Sequence, residues 1–235
     1  APVVDVITTY HNPGITIRSF GDDPLKVAEF AGAFIQGTQT MGVAAVAKHF
    51  PGKGAAEVDA HFDLPTISIP KDLFEELHLY PFRQAIENGV QGIMTTHVNC
   101  PSLDRGGDHP ATFSPPIVKN LLRTHYKFEG VIFSDDLEMG AIAKHYPVED
   151  ACRRATVAGL DMLLICSNYQ LQQQAFNGLI EDYSSSRLPR DELDESVRRL
   201  DTMRKFIAPI PSPAHTRSPS TPEDLAQQIA QEAIT

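Results

Sequence analysis

The chain has 235 residues, 42% of them hydrophobic and 21% charged, which is ordinary for a globular protein with a sizeable core. Its net charge of −10 and pI near 5.3 argue against nucleic acid as a partner, because phosphate recognition needs a basic face. No apolar run approaches the roughly 18–20 residues that cross a bilayer, so we expect no membrane span. Three separated cysteines without a CxxC pair indicate neither a disulfide framework nor a zinc site.

Short apolar runs alternate with longer amphipathic stretches along the first 207 residues. The predicted strands are the near-continuous apolar runs at 1–6, 42–47, 92–98, 130–136 and 161–166. The predicted helices lie between and after them, at 23–41, 71–89, 114–126, 148–159, 168–184 and 189–207. Strands that are apolar on both faces and alternate with helices predict a parallel α/β sheet, either doubly wound or closed into a barrel.

The composition changes at residue 208. Residues 208–225, APIPSPAHTRSPSTPEDL, are rich in proline and serine and predict an exposed linker. Residues 224–235 then show a short helical pattern, which we expect to lead to a second domain. The first residue is Ala and no signal peptide is visible, so the compartment stays open, with the cytoplasm favoured and an exported form admissible.

The carboxyl ends of the predicted strands carry a set of ionisable residues. Active sites of parallel α/β barrels are built from the loops at that end. Four of the five strands end on, or lead soon afterwards to, such a group: Arg18 after the first, Lys48 and His49 after the second, His97 after the third, and Asp135 with Asp136 after the fourth. This pattern predicts a site at the mouth of a barrel.

Asp135 directly follows a buried strand, so we expect its carboxylate to point into the barrel mouth. There it can act as a nucleophile or stabilise a developing cation. For Asp136 the simpler interpretation is the cap of a following helix over residues 137–146. Lys48, at the end of a buried strand, needs acceptors that a polyhydroxylated ligand supplies, and we expect it to bind such a ligand together with His49.

A glycine-containing loop after the second strand carries Asp59 and His61, two residues apart. A carboxylate beside an imidazole fixes the tautomer of the ring and raises its basicity, as a general acid/base requires. The unperturbed pKa of histidine, about 6.5, suits proton transfer near neutrality. The spacing alone is a weak signal, and a structural role for this pair stays open.

Several motifs together resemble the glycoside hydrolases of family 3, in their β-N-acetylhexosaminidase subgroup. The matching stretches are IRSFGDDP, KHFPGKGAAEVDAHFDLP, HPATFSPPIVKNLL and GVIFSDDLEMGAI. No single stretch is specific, but the combination is, and it covers residues 1 to about 207.

The resemblance implies a retaining β-N-acetylglucosaminidase on an α/β fold, a (β/α)8 TIM-type barrel. It implies no cofactor and a carbohydrate substrate, such as cell-wall muropeptides or chitin oligosaccharides. It makes Asp135 the nucleophile that forms a covalent glycosyl-enzyme, and His61, paired with Asp59, the acid/base on a mobile loop. By the same resemblance the substrate is bound by Arg18, Lys48, His49 and, in a less defined role, His97.

The sequence departs from the family pattern at two levels. Lys53 stands where the loop motif usually has His, and Ala60 where it has Ser, which bears on the geometry of the loop. In addition, only about five strand–helix units are recognisable, against the eight units and ~250 residues of a complete barrel. We therefore expect residues 1–207 to be a partial TIM-barrel catalytic domain that lacks the first two units and the sugar-binding aspartate and arginine they carry.

Three alternatives stay open. A phosphorylase of the same family would use phosphate instead of water, and a histidine donor suits it because an anionic acid/base would repel phosphate. A metal-dependent barrel hydrolase would use His49, His61, His97 and Asp135 as ligands, although Lys48 would place a positive charge beside the metal. A barrel without its first two units could also be an inactive sugar-binding fragment.

Overall fold

The computed structural model describes residues 1–207 apart from Pro13 and Gly106, together with Gln227 and Gln231. The linker and terminal helix predicted over 208–235 therefore lie almost wholly outside the described residues. Within the part that is described, no helix is long and apolar enough to cross a membrane.

The described residues contain one sheet of four parallel strands: β1 (Val46–Phe50), β2 (Gly92–Thr95), β3 (Val131–Asp136) and β4 (Met162–Leu164). The strands lie side by side in chain order. A doubly wound sheet reverses its strand order at a switch point, whereas a barrel keeps the chain order. The sheet is therefore part of a (β/α)8 barrel, and the prediction of that fold class is confirmed.

Residues 1–6 lie beside β1 but do not form a regular strand, so the predicted first strand is only partly correct. One parallel bridge joins Val3 to Lys48, and the amide of Val4 donates to the Lys48 carbonyl at 2.7 Å. Pairing stops there because the amide of Ile7 donates instead to Gly21. The segment turns away from the sheet and begins the loop that carries Arg18.

β1 begins four residues later than predicted, at Val46 rather than Gly42. The register with β2 starts at Val46 opposite Gly92 and shifts by a bulge between Lys48 and Phe50. Lys48 and His49 therefore belong to the strand itself instead of following it. The backbone of Lys48 is held by sheet hydrogen bonds, and the His49 carbonyl accepts the amide of Gly52 at 2.8 Å, which suits side chains that must keep a fixed position.

Within residues 1–207, seven α-helices flank the sheet: α1 (Pro24–Thr40), α2 (Lys71–Leu73), α3 (Tyr80–Glu87), α4 (Gly140–Ala143), α5 (Val148–Ala158), α6 (Tyr169–Ser184) and α7 (Arg190–Phe206). The helix predicted over 71–89 is interrupted, because a π-helical segment, Phe74–His78, separates α2 from α3. The predicted helix at 114–126 is also π-helical, over Pro116–His125. A 3₁₀ turn covers Ala111–Phe113.

α1 shows how the sequence places a helix over the sheet. Asp23 accepts a hydrogen bond from the amide of Leu25 at 2.8 Å and Pro24 occupies the first turn, as predicted for a capped start. Three apolar residues four apart, Val27, Ala31 and Ile35, form its buried face. That face is part of the main hydrophobic core, which also contains Ala47 and Phe50 of β1.

Asp161 closes the amino-terminal end of the sheet. Its buried carboxylate accepts hydrogen bonds from Arg123, from Arg199 at 3.0 Å and from the backbone amide of Ile132 at 2.8 Å. Ser196 adds a fourth donor at 2.8 Å. With its oxygens fully occupied, Asp161 ties β3 and β4 to α7, and the ionisable residues at this end have a structural role.

Candidate active site

Asp5 follows the bridge between Val3 and Lys48, beside β1, and is completely buried. Its Oδ2 lies 2.7 Å from Nδ1 of His49, and its Oδ1 accepts the backbone amide of Lys53 at 2.8 Å. Burial would raise the pKa of Asp5, but His49 and then Lys53 more than offset burial and lower it. Asp5 is therefore a buried carboxylate that links residues 1–6 to β1 and to the loop that follows β1.

His49 is almost fully buried against Asp5. Burial lowers the pKa of His49 below its ordinary value, in spite of the opposing attraction of Asp5. Since a carboxylate only accepts, Nδ1 carries the hydrogen and Nε2 is left as an acceptor. A neutral imidazole fixed in this tautomer can accept a hydrogen bond from a sugar hydroxyl, which fits the binding role predicted for His49.

Asp135 lies near the carboxyl end of β3 with 18% of its side chain exposed. Its Oδ1 accepts the amide of Asp136 at 3.0 Å, and its Oδ2 lies 3.9 Å from Nζ of Lys53. Burial would raise the pKa of Asp135, but His49, Lys53 and His97 together outweigh burial and lower it. The result is an ionised carboxylate that is still reachable from solvent, as a nucleophile requires.

Asp59 and His61 form the predicted pair. Nδ1 of His61 lies 2.7 Å from Oδ1 of Asp59, which also accepts the His61 amide at 2.9 Å. Burial would raise the pKa of Asp59, but the two hydrogen bonds from His61 lower it. The His61 side chain remains 58% exposed. Asp59 therefore holds the ring with Nδ1 as donor and leaves Nε2 for proton transfer.

The loop carrying this pair docks on the residues that follow Asp135. The amide of Gly140 donates to the His61 carbonyl at 3.1 Å, and that of Ala141 donates to Ala60 at 3.0 Å. A Cβ at position 140 would lie 2.5 Å from the His61 carbonyl oxygen, so only glycine fits there. These contacts bring the Asp59–His61 loop and the end of β3 to the same rim of the sheet.

Arg18 lies on the first loop and Lys48 on β1, both ahead of the Asp59–His61 loop in the chain. Burial lowers the pKa of Lys48, and the charge of Arg18 adds to the decrease while that of Asp135 opposes it. Arg18 is exposed, and its guanidinium donates to the Gly14 carbonyl at 3.1 Å. The arrangement leaves donors on Arg18 and Lys48 for a ligand beside Asp135.

His97 is fully buried and both of its ring nitrogens are engaged. Nδ1 lies 2.8 Å from the Thr112 hydroxyl and Nε2 lies 3.0 Å from the Asp136 carbonyl. Burial lowers the pKa of His97 to about 4, so the ring is neutral near pH 7. His97 links the end of β2 to the end of β3 and so fixes the position of Asp135.

Asp136 does not cap the helix predicted over 137–146. That helix is short, and its first residue is Gly140. The Asp136 carboxylate instead accepts the amides of Glu138 at 3.1 Å and Cys166 at 3.3 Å. Asp136 thus joins the turn after β3 to the end of β4, which is a structural role.

His78 is a buried histidine that the sequence analysis did not single out. It lies in the π-helical segment with its ring against Phe74, and neither ring nitrogen has a hydrogen-bond partner in the described residues. Burial lowers the pKa of His78 from 6.5 to about 4. Burial of two histidines in neutral form, His78 and His97, makes the stability of the domain depend on pH.

We expect the free energy of unfolding to fall as the pH decreases from 6.5 to about 4. A histidine with a lower pKa in the folded state binds fewer protons folded than unfolded, so its stabilising effect is complete above the unfolded pKa and is lost as the pH falls towards the folded one. His78→Leu should reduce the slope by up to ~1.4 kcal/mol per pH unit. Urea unfolding at several pH values measures this slope.

The exposed His125 provides the matched control. His125→Leu replaces a histidine that is already exposed in the folded protein, so its slope should match that of the wild type. If His78→Leu and His125→Leu gave the same slope as the wild type, the buried neutral state of His78 would be contradicted.

The residues of the metal-dependent alternative do not meet as ligands. His49, His61 and His97 each have their own protein partner, on three different elements. Over the described residues, no group of three or more His, Cys, Asp or Glu side chains has a geometry that could hold a metal ion. The structure gives this alternative no donor set.

Comparisons with known proteins agree on one family. Residues 1–203 match the model of the glycosyl hydrolase family 3 N terminal domain. The chain is 35% identical over 196 residues to a beta-hexosaminidase of Nitrosomonas eutropha, an alignment that covers 81% of the chain and 56% of that protein. It is 37% identical over 210 residues to the beta-hexosaminidase LpqI of Mycobacterium tuberculosis, covering 87% and 53%.

A solved structure extends the comparison to the fold. The family 3 β-N-acetylglucosaminidase from Paenibacillus sp. FPU-7 superposes with a TM-score of 0.91 at 34% identity, over 99% of this chain and 45% of that one. Fold and site together define a glycoside hydrolase domain of the α/β-barrel class. The chain belongs to glycoside hydrolase family 3, as its motifs indicated. It spans about half the length of the curated relatives it matches.

Proposed function

We propose that this domain belongs to a retaining β-N-acetylglucosaminidase that removes terminal β-linked N-acetylhexosamine. One observation carries the proposal. An ionised, partly exposed carboxylate, Asp135, lies near the end of β3, and the loop bearing the Asp59–His61 pair is hydrogen-bonded to the residues just after it. A nucleophile and a proton donor at one rim are the two parts that a retaining glycosidase needs.

In the first step, an oxygen of Asp135 bonds to the anomeric carbon while the bond to the leaving group breaks. The leaving oxygen keeps the electron pair of the breaking C–O bond and receives a proton from Nε2 of His61. In the second step, His61 takes a proton from water, the water oxygen bonds to the anomeric carbon, and the Asp135 carboxylate leaves with its electron pair. Two inversions at one carbon give overall retention.

Asp59 supports both steps through His61. In each cycle the imidazole alternates between its charged and neutral forms. An adjacent carboxylate stabilises the charged form and holds the ring orientation throughout. Asp59 therefore acts as the positioning partner of His61, as its two hydrogen bonds to that residue support.

The sugar is proposed to bind Lys48, His49 and Arg18. His49 offers an acceptor nitrogen, and Lys48 and Arg18 offer donors beside Asp135. The N-acetyl preference is supported by the names of the relatives, which are beta-hexosaminidases and a β-N-acetylglucosaminidase. Muropeptides and chitin oligosaccharides both present such a terminal sugar.

The test is hydrolysis of an aryl β-N-acetylglucosaminide by the purified chain, followed by proton NMR to identify the first-formed anomer. We expect release of N-acetylglucosamine with the β anomer appearing first, and a much slower reaction with the aryl β-glucoside. An α anomer as the first product would contradict the retaining mechanism. Formation of the sugar 1-phosphate in phosphate buffer would indicate a phosphorylase, and absence of turnover would favour a sugar-binding role.

A further inference from the structure

Lys53 has a buried side chain that extends to the carboxylate of Asp135. Only 8% of the side chain is exposed, and its Nζ lies 3.9 Å from Oδ2 of Asp135. Asp5, the nearest buried carboxylate, accepts the Lys53 backbone amide and not its ammonium group. The ammonium group therefore has Asp135 as its ion-pair partner.

The backbone of Lys53 is fixed on both sides. Gly52 has φ +118°, and a Cβ there would lie 2.8 Å from Cβ of His78. A Cβ at Gly54 would lie 1.8 Å from the Val6 carbonyl oxygen, so glycine is required for the chain to pass. The Lys53 carbonyl accepts the Asn12 side-chain amide at 2.7 Å. A lysine on so constrained a backbone has few directions open to it, and its ammonium group is directed at Asp135.

The titratable groups that interact with Asp135 or its neighbours come from every adjacent element. They are Lys48 and His49 on β1, Lys53 on the loop after it, His97 after β2, Asp136 on β3 and Cys166 after β4. Burial lowers the pKa of both His49 and His97, the latter to about 4, so both rings are neutral near pH 7. Lys53 is then the cation within ion-pair distance of Asp135.

We propose that Lys53 is a positioning residue that holds the nucleophile Asp135 as an oriented carboxylate and favours its departure in the second step. The proposal rests on the proposed function for the role of Asp135. When the glycosyl ester forms, Asp135 loses its charge and Lys53 faces a neutral ester. As water attacks the anomeric carbon, the electron pair of the breaking C–O bond returns to Asp135, where the adjacent ammonium group stabilises the developing negative charge.

The most direct test measures the protonation of the Asp135 carboxyl group and needs no enzymatic turnover. With ¹³C-labelled aspartate carboxyl groups, the Asp135 signal is assigned by its loss in Asp135→Asn and then followed by NMR as the pH decreases. In Lys53→Met it should protonate at least about one pH unit higher than in the wild type, because a cation at this distance lowers a carboxyl pKa by roughly 1–3 units. Lys53→Arg, which keeps the charge, should titrate close to the wild type.

Lys26→Met is the matched control, since it removes an exposed lysine that pairs with Glu29. It should leave the Asp135 signal unchanged. If Lys53→Met does not fold, Lys53→Gln is titrated under the same criterion. The proposal would be overturned if Asp135 titrated at the same pH in Lys53→Met, or in Lys53→Gln, as in the wild type.

Kinetics then separate this proposal from the proposed function. On an aryl β-N-acetylglucosaminide, Lys53→Met should shift the acidic limb of the kcat/KM profile upwards by about one pH unit. Lys53→Arg should restore the limb. If the wild type gives no turnover but the NMR shift is seen, the proposed function and the role of Lys53 in the second step both fail, and only the ion pair between Lys53 and Asp135 stands. If turnover is normal but neither the acidic limb nor the NMR signal moves, the proposed function stands and the role of Lys53 is contradicted.

Discussion

Asp135→Ala should abolish turnover of β-N-acetylglucosaminides, with a loss of roughly 10⁴-fold or more. The variant removes a carboxylate near the end of β3 that is ionised, partly exposed and, unlike Asp136, not engaged in joining the turn after β3 to the end of β4. No covalent intermediate can then form. Initial rates with an aryl substrate, at enzyme concentrations high enough to detect the residual activity, measure the loss.

Adding azide to Asp135→Ala tests whether the missing side chain is the nucleophile. A small anion can enter the space left by the side chain and attack the anomeric carbon directly, which gives the α-glycosyl azide by a single inversion. Asp136→Asn is the matched control on the neighbouring residue and should lose far less activity. Full activity in Asp135→Ala, or equal losses in the two variants, would contradict the assignment.

His61→Ala should cost roughly 10²–10⁴-fold on a substrate with a sugar or alkyl leaving group. The decrease in kcat/KM should be much smaller with an activated aryl leaving group, which departs in the first step without a proton. The reason lies in the position of His61, an exposed imidazole held by Asp59 on the loop docked beside Asp135. A comparison of kcat/KM for chitobiose and for a dinitrophenyl glycoside measures the difference.

Azide again distinguishes the roles. In His61→Ala the glycosyl ester on Asp135 still forms from the activated substrate, and azide attacks it without base assistance. The product is the β-glycosyl azide, the opposite anomer to that from Asp135→Ala, because two inversions have occurred. Equal losses on both kinds of substrate, or an α azide from His61→Ala, would be incompatible with an acid/base role.

The sheet and most of the helices could be predicted because their signals are local. β3 is a buried apolar run that ends in two aspartates, and α1 has both a capping residue and a regular apolar spacing. The limits of β1 could not be predicted, since GVAAVA is equally apolar throughout and the register is set by pairing with β2. The π-helical segments were missed because side-chain periodicity does not reveal which carbonyl each amide selects.

The sequence singled out most of the polar residues at the carboxyl end of the sheet, the buried His49 and His97 among them, but it missed the buried Asp5 and the ion pair of Lys53. Asp135, Asp59 and His61 come from motifs and strand ends. Asp5 could have been noticed as a lone carboxylate in an apolar run, but its two partners lie 44 and 48 residues away. The ion pair of Lys53 depends on a backbone that only the folded loop defines. The expected movement of the His61 loop stays a prediction.

The most direct measurement for the central claim is the mass of the protein after reaction with a 5-fluoro-N-acetylglucosaminyl fluoride, whose fluorine slows breakdown of the intermediate. The protein should gain one fluorinated N-acetylhexosaminyl unit, and peptide sequencing by mass spectrometry should place that unit on Asp135. Turnover without any adduct would mean that the acetamido group of the substrate is the nucleophile. An adduct on another residue would likewise contradict the account.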